Sequence, residues 1–370
     1  MDFDLTTQQK DAQTAFRAFV DRTIAPYADQ WDRAQALPPE LFQTLGAKRY
    51  LVPSLPREFD GLGMDMQTYG LFSEEIGRGC ASVRNLLGVQ GMVAQSLLRF
   101  GNRAQQSQWL PRLATGEAVA AFALTEPAIG SDAKNVTTTA TRSAHGYVLN
   151  GTKKWISFGV KADLFLVIAQ SAGGTSAFLV EKGTPGFSCT PITELLGLRA
   201  SLLGELRFEH CEIPAANLVG KEGSGFAWIA NTALDFGRYS TACGCVGLAQ
   251  ACLEASQKYS RERTQFGVPI GQHQLVRQML TNMRVNTQAA RLLCYQAGYW
   301  RDQGAPEAIQ STLVAKYFAA TNVSRIATDA VQIHGANGIG YDYSVQRYLR
   351  DAKIMEIIEG TTQIQQVYID

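Results

Sequence analysis

The residue with the clearest chemical potential is Glu359, which sits in the sequence Ile-Ile-Glu-Gly-Thr-Thr near the end of the chain. Isoleucines at helical spacing predict a helix over residues 352–358, and Gly360 is typical of a residue that ends one. Thr361 or Thr362 can cap a second helix, whose free N–H groups form a candidate phosphate site. A carboxylate beside apolar isoleucines is a candidate general base, because burial raises its pKa. Helix-capping preferences explain the same residues equally well as a solvated glutamate before a glycine cap.

The segment from residue 357 to 365 resembles the C-terminal signature of the acyl-CoA dehydrogenase family. The resemblance implies that Glu359 takes the α-proton of an acyl thioester while a hydride leaves the β-carbon for N5 of FAD. It further implies that Gly360 lies at the substrate and that Thr361 and Gln363 contact the flavin dinucleotide. Backbone or ribityl hydroxyl donors would polarise the thioester carbonyl, which acidifies the α-proton.

Two segments in the middle of the chain resemble flavin-contacting stretches of the same family. In residues 124–132, the hydroxyl of Thr125 suits the flavin N5 region, and Gly130-Ser131 allows close approach of the thioester arm. The family usually has Gly-Ala where this chain has Ala128-Ile129, which predicts a tighter loop. In residues 155–157, a tryptophan offers a flat apolar wall and a serine offers a hydroxyl. Without the resemblance, these segments would be a proline turn between domains and a tryptophan in a β-sheet core.

Asp235 and Arg238 lie three residues apart and share one helix face. The resemblance implies that they face the substrate and that the arginine supports the active-site fold. The alternative is an ordinary surface ion pair. A minority branch of the family carries its catalytic glutamate at the position of Gly237, so glycine there leaves Glu359 without a competitor.

Three further segments match family regions that reach the pyrophosphate, flavin and adenine of the cofactor in a neighbouring subunit: residues 263–267, 273–274 and 332–338. Arginine suits phosphate through paired hydrogen bonds, although each segment alone could be a helix-ending turn. We therefore predict a homodimer or homotetramer. The predicted FAD contacts are Phe122, Leu124, Thr125, Gly130, Ser131, Trp155, Ile156, Ser157, Arg263, Gln265, Phe266, His273, Gln274, Gln332, Gly335, Ala336, Thr361 and Gln363. The predicted substrate contacts are Ser131, Asp235, Arg238 and Gly360.

The elements that position these residues form an α+β multidomain chain. Residues 1–118 read as an N-terminal helical domain. Residues 119–223 read as short strands between turns, including an Asn150-Gly151 hairpin, which predicts a middle antiparallel β-barrel. Residues 224–370 read as long helices, which predicts a C-terminal four-helix bundle. This order of helices, β domain and helices is the layout of the acyl-CoA dehydrogenases.

Composition excludes several other classes of protein. The 370 residues carry a net charge of +1, which argues against a nucleic-acid-binding surface. No run of about eighteen apolar residues is present, so no membrane span is expected. The acidic start, Met1 to Thr6, is unlike a secretory signal, which predicts a cytoplasmic protein. Scattered cysteines and histidines predict no metal, and no Gly-rich nucleotide loop competes with the flavin site.

A narrower resemblance concerns the substrate. Residues 233–239, 244–251 and 355–359, together with the stop at Asp370, resemble the acyl-carrier-protein-dependent members that make hydroxymalonyl and methoxymalonyl extender units for polyketides. That resemblance implies a carrier-bound three-carbon substrate whose C3 aldehyde hydrate is oxidised to a carboxylate, with Glu359 as base. The alternatives are α,β-desaturation of an acyl-CoA and a non-catalytic flavin-binding protein on the same fold. For either reaction the family implies electron-transfer flavoprotein, or a similar protein, as acceptor.

Overall fold

A computed structural model describes residues 4–369. The predictions that used Met1 to Phe3 and Asp370 therefore concern residues outside this range. Within it, no helix combines the length and apolar character needed to cross a membrane. The predicted domain boundaries after residues 118 and 223 stay predictions.

From residue 4 onward, the N-terminal part contains six α-helices. The first begins at a capping box, in which Thr6 and Gln9 exchange side-chain to backbone hydrogen bonds of 3.0 and 3.2 Å. The helices are α1 (Thr7–Thr23), α2 (Ala28–Ala34), α3 (Pro39–Ala47), α4 (Met66–Gly79), α5 (Ala81–Phe100) and α6 (Arg103–Thr115).

The middle part is an eight-stranded mixed sheet. Its strands are β1 (Ala120–Ala123), β2 (Thr139–Arg142), β3 (Gly146–Ile156), β4 (Leu164–Ser171), β5 (Gly174–Glu181), β6 (Phe187–Pro191), β7 (Gly204–Pro214) and β8 (Leu218–Val219). The order is β6-β7-β3-β2-β4-β5-β8, with β1 beside β4. The prediction of a purely antiparallel domain is wrong, because β1 and β2 both pair with β4 in parallel. β2 runs opposite to β3, and the chain reverses again before β4, which places β2 and β4 in the same direction. Closure into a barrel stays a prediction.

The predicted Asn150-Gly151 hairpin is also wrong. Both residues lie inside β3, where the register against β7 shifts between Leu149 and Gly151. Gly151 has φ +148°, and a Cβ there would lie 2.7 Å from the Cα of Thr138. The glycine therefore serves a bulge and a close backbone approach rather than a turn.

The C-terminal part begins with a π-helix, Gly225–Ala230, that runs directly into α7. It continues as α7 (Asn231–Glu262), the hairpin β9 (Thr264–Gln265) and β10 (Val268–Pro269), α8 (Gln274–Asp302), α9 (Glu307–His334), α10 (Val345–Met355) and α11 (Thr362–Ile369). Helix α7 packs against α8, α9 and α10, but also against α4 and α5. The four-helix bundle stays a prediction, since a periodic apolar face does not identify the helix that covers it.

Small residues let α4 and α7 approach closely. A Cβ on Gly77 would lie 2.5 Å from the carbonyl oxygen of Gly244, and a Cβ on Gly247 would overlap the carbonyl oxygen of Glu74. Glycines at these contacts bring the helix backbones together, which joins the N-terminal and C-terminal parts into one core.

A buried ion pair anchors the loop between β1 and β2. The Lys153 ammonium donates to Glu126 Oε1 at 2.8 Å and to the Leu124 carbonyl at 2.9 Å, and its side chain is fully buried. The Glu126 carboxylate also accepts hydrogen bonds from Thr137 and from the backbone N–H of Thr138. Burial alone would raise the pKa of Glu126, but these hydrogen bonds outweigh it and hold the pKa at about 2.

We predict that Glu126→Gln lowers the free energy of unfolding by about 3–5 kcal/mol, because it leaves the Lys153 ammonium buried without a counter-charge. Glu205→Gln is the matched control: it breaks the Lys154–Glu205 pair, 3.0 Å long and about one-third exposed, and should cost less than about 1 kcal/mol. Urea denaturation measures both changes. A depressed carboxyl pKa contributes stability above the ordinary pKa that is lost as pH falls, so the wild type should weaken between about pH 4.5 and pH 2 more than the variant. Equal, small losses for both variants would contradict the anchoring role.

Candidate active site

A cavity of about 890 Å³ lies where the N-terminal helices, the sheet and the C-terminal helices meet. Its size falls within the range of small-molecule and cofactor sites. It brings together residues that are far apart in the sequence but were predicted to form one site. Those residues are Phe122, Leu124, Thr125, Gly130, Ser131, Trp155, Ile156, Ser157, Asp235, Arg238, Glu359, Gly360 and Thr361.

Glu359 lies in a turn whose backbone is unusual. Helix α10 ends at Met355, three residues before the predicted end at Ile358. Glu359 and Gly360 then take φ values of +57° and +90°. The left-handed conformation is unfavourable for a glutamate, so contacts from other elements must stabilise it.

Three side chains from other segments provide those contacts. Arg238 Nε donates to the carbonyl oxygen of Glu359 at 3.1 Å, and Lys316 Nζ donates to that of Gly360 at 2.7 Å. Gln365 Nε2 donates to both carbonyls, at 3.2 and 3.1 Å. These side chains therefore hold the carbonyls of Glu359 and Gly360 outside any helix.

The Glu359 side chain combines access to the cavity with a buried, unpaired oxygen. The residue lines the cavity, yet its Oε2 is buried and has no hydrogen-bond partner in the described chain. Burial raises the pKa of Glu359, while the positive charges of Arg84, Arg238 and Lys316 act in the opposite direction. Within residues 4–369, no cation lies within ion-pairing distance of this carboxylate. An unpaired carboxylate with a raised pKa can accept a proton.

Gly237 provides the space that this carboxylate occupies. A Cβ on Gly237 would lie 2.6 Å from Glu359 Oε2 and 2.9 Å from Met92 Sδ. The Glu359 carboxylate and the Met92 thioether therefore pack next to each other against the part of α7 where Gly237 has no side chain. Gly237 therefore leaves room for the Glu359 carboxylate, and it also places no second carboxylate at this position.

Trp155 and Ser157 line the cavity on the sheet side. Trp155 has φ +62° at a register shift in β3 and is 51% exposed, although it is a large aromatic residue. Ser157 Oγ accepts a hydrogen bond of 3.0 Å from Asn85 Nδ2, which leaves the serine proton free to be donated. Thr125 adds a second hydroxyl, and Gly130 faces open space. A strained, half-exposed indole beside two hydroxyl groups fits the flavin ring of FAD.

Asp235 and Arg238 both line the cavity but do not pair with each other. Asp235 Oδ1 lies 2.7 Å from Arg301 Nη2 on α8, and Arg301 also donates to the Asp235 carbonyl at 3.0 Å. The surface ion pair considered for the two residues is therefore not formed. Arg301 fixes Asp235, which leaves Arg238 to hold the Glu359 carbonyl.

The remaining predicted contacts lie away from the cavity: Arg263, Gln265, Phe266, His273, Gln274, Gln332, Gly335, Ala336 and Gln363. All except His273 are exposed, and Phe266 is 95% exposed. His273 Nε2 lies 3.3 Å from the Gln265 carbonyl, which ties the β9–β10 hairpin to the start of α8. Thr361, just before α11, lines the cavity, as do Ile364 and Tyr368 on α11. This helical spacing turns Gln363 outward.

Other residues of the site were missed in the sequence. Val89 and Met92 on α5, Phe226 on the π-helix, and Ile309 and Leu313 on α9 line the cavity as apolar side chains. Apolar periodicity marked such positions only as core. Lys316 carried a stronger signal, since it is a lysine within the apolar run Leu-Val-Ala-Lys-Tyr-Phe-Ala-Ala.

Comparison with known protein families agrees with this architecture. The acyl-CoA dehydrogenase N-terminal domain matches residues 6–117, the middle domain matches residues 121–211, and the C-terminal domain matches residues 223–369. The chain belongs to the acyl-CoA dehydrogenase family. It is an FAD-dependent oxidoreductase that acts on thioesters.

Two curated relatives cover almost the whole chain. The acryloyl-CoA reductase (NADH) of Anaerotignum propionicum is 39% identical over 100% of this chain and 95% of its own length. An acyl-CoA dehydrogenase of Bacillus subtilis is 39% identical over 99% of this chain and 97% of its own length.

Solved structures extend the comparison. A chain from the electron transferring flavoprotein structure of Acidaminococcus fermentans has a TM-score of 0.96 and 37% identity, and the match covers 100% of this chain and 98% of that one. A glutaryl-CoA dehydrogenase of Mycobacterium smegmatis in complex with FADH2 has a TM-score of 0.94 and 31% identity, with 99% and 94% covered. FkbI, for biosynthesis of the methoxymalonyl extender unit of Fk520, has a TM-score of 0.88 and 30% identity, with 96% and 97% covered.

We predict that Gly237→Ala slows flavin reduction about 100-fold, because the new methyl group must displace the Glu359 carboxylate or the Met92 thioether. Anaerobic stopped-flow absorbance, with a thioester that reduces the wild type, measures the rate. Gly340→Ala is the control, since the nearest atom to its added Cβ is 3.9 Å away and the site lies elsewhere. A wild-type rate for Gly237→Ala would contradict the packing argument.

Proposed function

We propose that this protein oxidises a short acyl thioester and that Glu359 is the base that removes the substrate proton. The observation that carries the proposal is the buried, unpaired Oε2 of Glu359 in a cavity that Trp155 and Ser157 also line. FAD, when bound in this cavity, would supply the acceptor for the hydride that leaves the substrate. The base acts in its ionised form, so the rate should rise with pH through the raised pKa of Glu359.

Other residues of the cavity take supporting roles. Trp155 provides a flat wall for the flavin ring, while Thr125 and Ser157 provide hydroxyl groups. Arg238 holds the turn that carries Glu359. Met92, which packs beside the carboxylate, limits the room for the acyl group on that side and favours a short chain.

The favoured substrate is a carrier-protein-bound three-carbon unit on the route to hydroxymalonyl and methoxymalonyl extender units. Likeness to FkbI, at 30% identity over 96% of this chain, supports this candidate. The oxidation of this unit removes one hydride and one proton from an aldehyde hydrate and leaves a carboxylic acid, which then releases a second proton to water and becomes the carboxylate. Glu359 would take the first proton.

A second candidate is α,β-desaturation of an acyl-CoA, with electron-transfer flavoprotein as the electron acceptor. The higher identity of the two curated relatives, 39%, supports it, since both have CoA thioesters in their names. The match to a chain from an electron transferring flavoprotein structure supports electron-transfer flavoprotein as the electron acceptor. In this reaction Glu359 would take the α-proton.

The predicted FAD contacts outside the cavity support an assembly of two or more subunits. Arg263, Gln265 and Gln332 are exposed, and no ion pair engages the Arg263 guanidinium among residues 4–369. In a homodimer or homotetramer, these residues would contact the pyrophosphate and adenine of a neighbouring subunit's FAD.

We predict that Glu359→Gln keeps FAD and the fold but loses at least about 100-fold in the rate of flavin reduction, since an amide cannot take the proton. Glu356→Gln is the control, because Glu356 lies in the same turn but outside the cavity, with its Oε1 2.7 Å from Ser324 Oγ. Anaerobic stopped-flow absorbance measures both variants. A near-normal rate of flavin reduction in Glu359→Gln would contradict the assignment of Glu359 as the base.

A panel of matched thioesters distinguishes the two substrate candidates. We predict that the carrier-bound three-carbon aldehyde bleaches the flavin at least about tenfold faster than the same acyl group on CoA. Anaerobic stopped-flow at equal thioester concentration provides the comparison. Equal or faster bleaching by the CoA thioester, or by a saturated acyl-CoA, would favour desaturation.

We predict that Arg263→Ala releases FAD at least about tenfold more readily, because it removes a phosphate contact donated across subunits. Light scattering with flavin absorbance measures subunit number and FAD content together. Arg261→Ala, two residues earlier and also exposed, is the control. A monomeric wild type with a full complement of FAD would contradict a shared site.

A further inference from the structure

Lys316 is a buried cation that forms no ion pair with any carboxylate in residues 4–369. Its side chain is fully buried on α9. Its ammonium donates to the Gly360 carbonyl at 2.7 Å. Burying an ammonium group is costly, so a lysine at this position indicates a function that an apolar residue cannot supply.

The charged and titratable groups around Lys316 leave Glu359 as the relevant anion. Helix α7 presents Arg238, a like charge, and Cys245, whose pKa burial raises to about 12, so the thiol is neutral. Glu356, after α10, is engaged by Ser324 and by the ammonium of Lys353, 3.2 Å away. Burial lowers the pKa of Lys316 to about 8, while the negative charge of Glu359 opposes this effect, so the lysine is largely charged at neutral pH.

We propose that Lys316 is a positioning residue: its ammonium holds the Gly360 carbonyl so that Glu359 points into the cavity, and its charge favours the ionised carboxylate. The proposal rests on the proposed function, in which Glu359 is the base. The hydrogen bond from Lys316 on α9 to the Gly360 carbonyl therefore has a role in positioning the base. Neither the residues that line the cavity nor the family signature identifies this role. Lys316 is not among the residues that line the cavity, so it acts through Glu359.

Two substitutions distinguish the effect of the hydrogen bond that Lys316 donates from the effect of its positive charge. Lys316→Met keeps the apolar stem and removes both, whereas Lys316→Gln keeps a donor without charge. The glutamine variant also covers the case in which the methionine variant fails to fold. Lys353→Met removes an exposed ammonium and is the control.

The first measurement uses the holoenzyme without any thioester. Infrared difference spectra against pH follow the protonated-carboxyl band that Glu359→Gln lacks, and so report the ionisation of Glu359 directly. We expect both Lys316 variants to move the midpoint upward by about one pH unit, which is a tenfold smaller ionised fraction below the midpoint. The Lys353→Met midpoint should equal that of the wild type. An unchanged midpoint in both Lys316 variants overturns the proposal.

The second measurement is the pH profile of flavin reduction with a thioester that reduces the wild type. Lys316→Met should slow reduction by about 10- to 100-fold and shift the acid limb upward, because the base is both misplaced and less ionised. Lys316→Gln should recover most of the rate at high pH but keep the shifted limb. A rate loss that is equal at every pH indicates a merely structural role and overturns the proposal. If instead Glu359→Gln reduces flavin normally, the proposed function fails, and the infrared titration still decides whether Lys316 acts on Glu359.

Discussion

The site depends on one electrostatic constraint: a carboxylate must be removed from water without being neutralised by an ion pair. Glu359 meets this constraint because its Oε2 is buried and unpaired, with Arg84, Arg238 and Lys316 near enough to influence its pKa but outside ion-pairing distance. A direct ion pair would hold the carboxylate ionised but would also occupy the oxygen that must take a proton. Distant cations favour the ionised form while leaving the oxygen free.

Much of the surrounding fold serves the geometry of that carboxylate. The left-handed turn at Glu359 is held through its carbonyls by side chains from α7, α9 and α11. Gly237 leaves room on α7, and the close packing of α4 against α7 fixes the helix on which that glycine lies. On the sheet side, the bulge in β3 presents Trp155, and the Lys153–Glu126 pair anchors the loop that carries Thr125. Strain at the turn and the bulge is thus concentrated where chemistry is expected.

Thirteen of the predicted site residues lie around one cavity, whereas two predictions for the sheet are wrong. One cavity is lined by Glu359, Thr125, Trp155 and Arg238. These residues could be predicted because each lies in a short motif whose chemistry can be recognised without knowing the fold. The Asn150-Gly151 pair misled, because a bulge and a hairpin both require glycine, and only the partner strand distinguishes them. The parallel pairing of β2 with β4 depends on strand order, which local patterns do not encode. Lys316 was missed because a lysine in an apolar run indicates a buried charge but not the group that it contacts, which is a backbone carbonyl.

The most direct test of this account is the pH dependence of the second-order rate constant for flavin reduction by substrate, which reports ionisations of the free holoenzyme. If a desolvated Glu359 is the base, the rate constant should rise with pH through an ionisation above about 4.3, the ordinary value for glutamate, and Glu359→Gln should lack this step. An apparent pKa at or below that value, or the same step in Glu359→Gln, would contradict the claim that a desolvated Glu359 is the base.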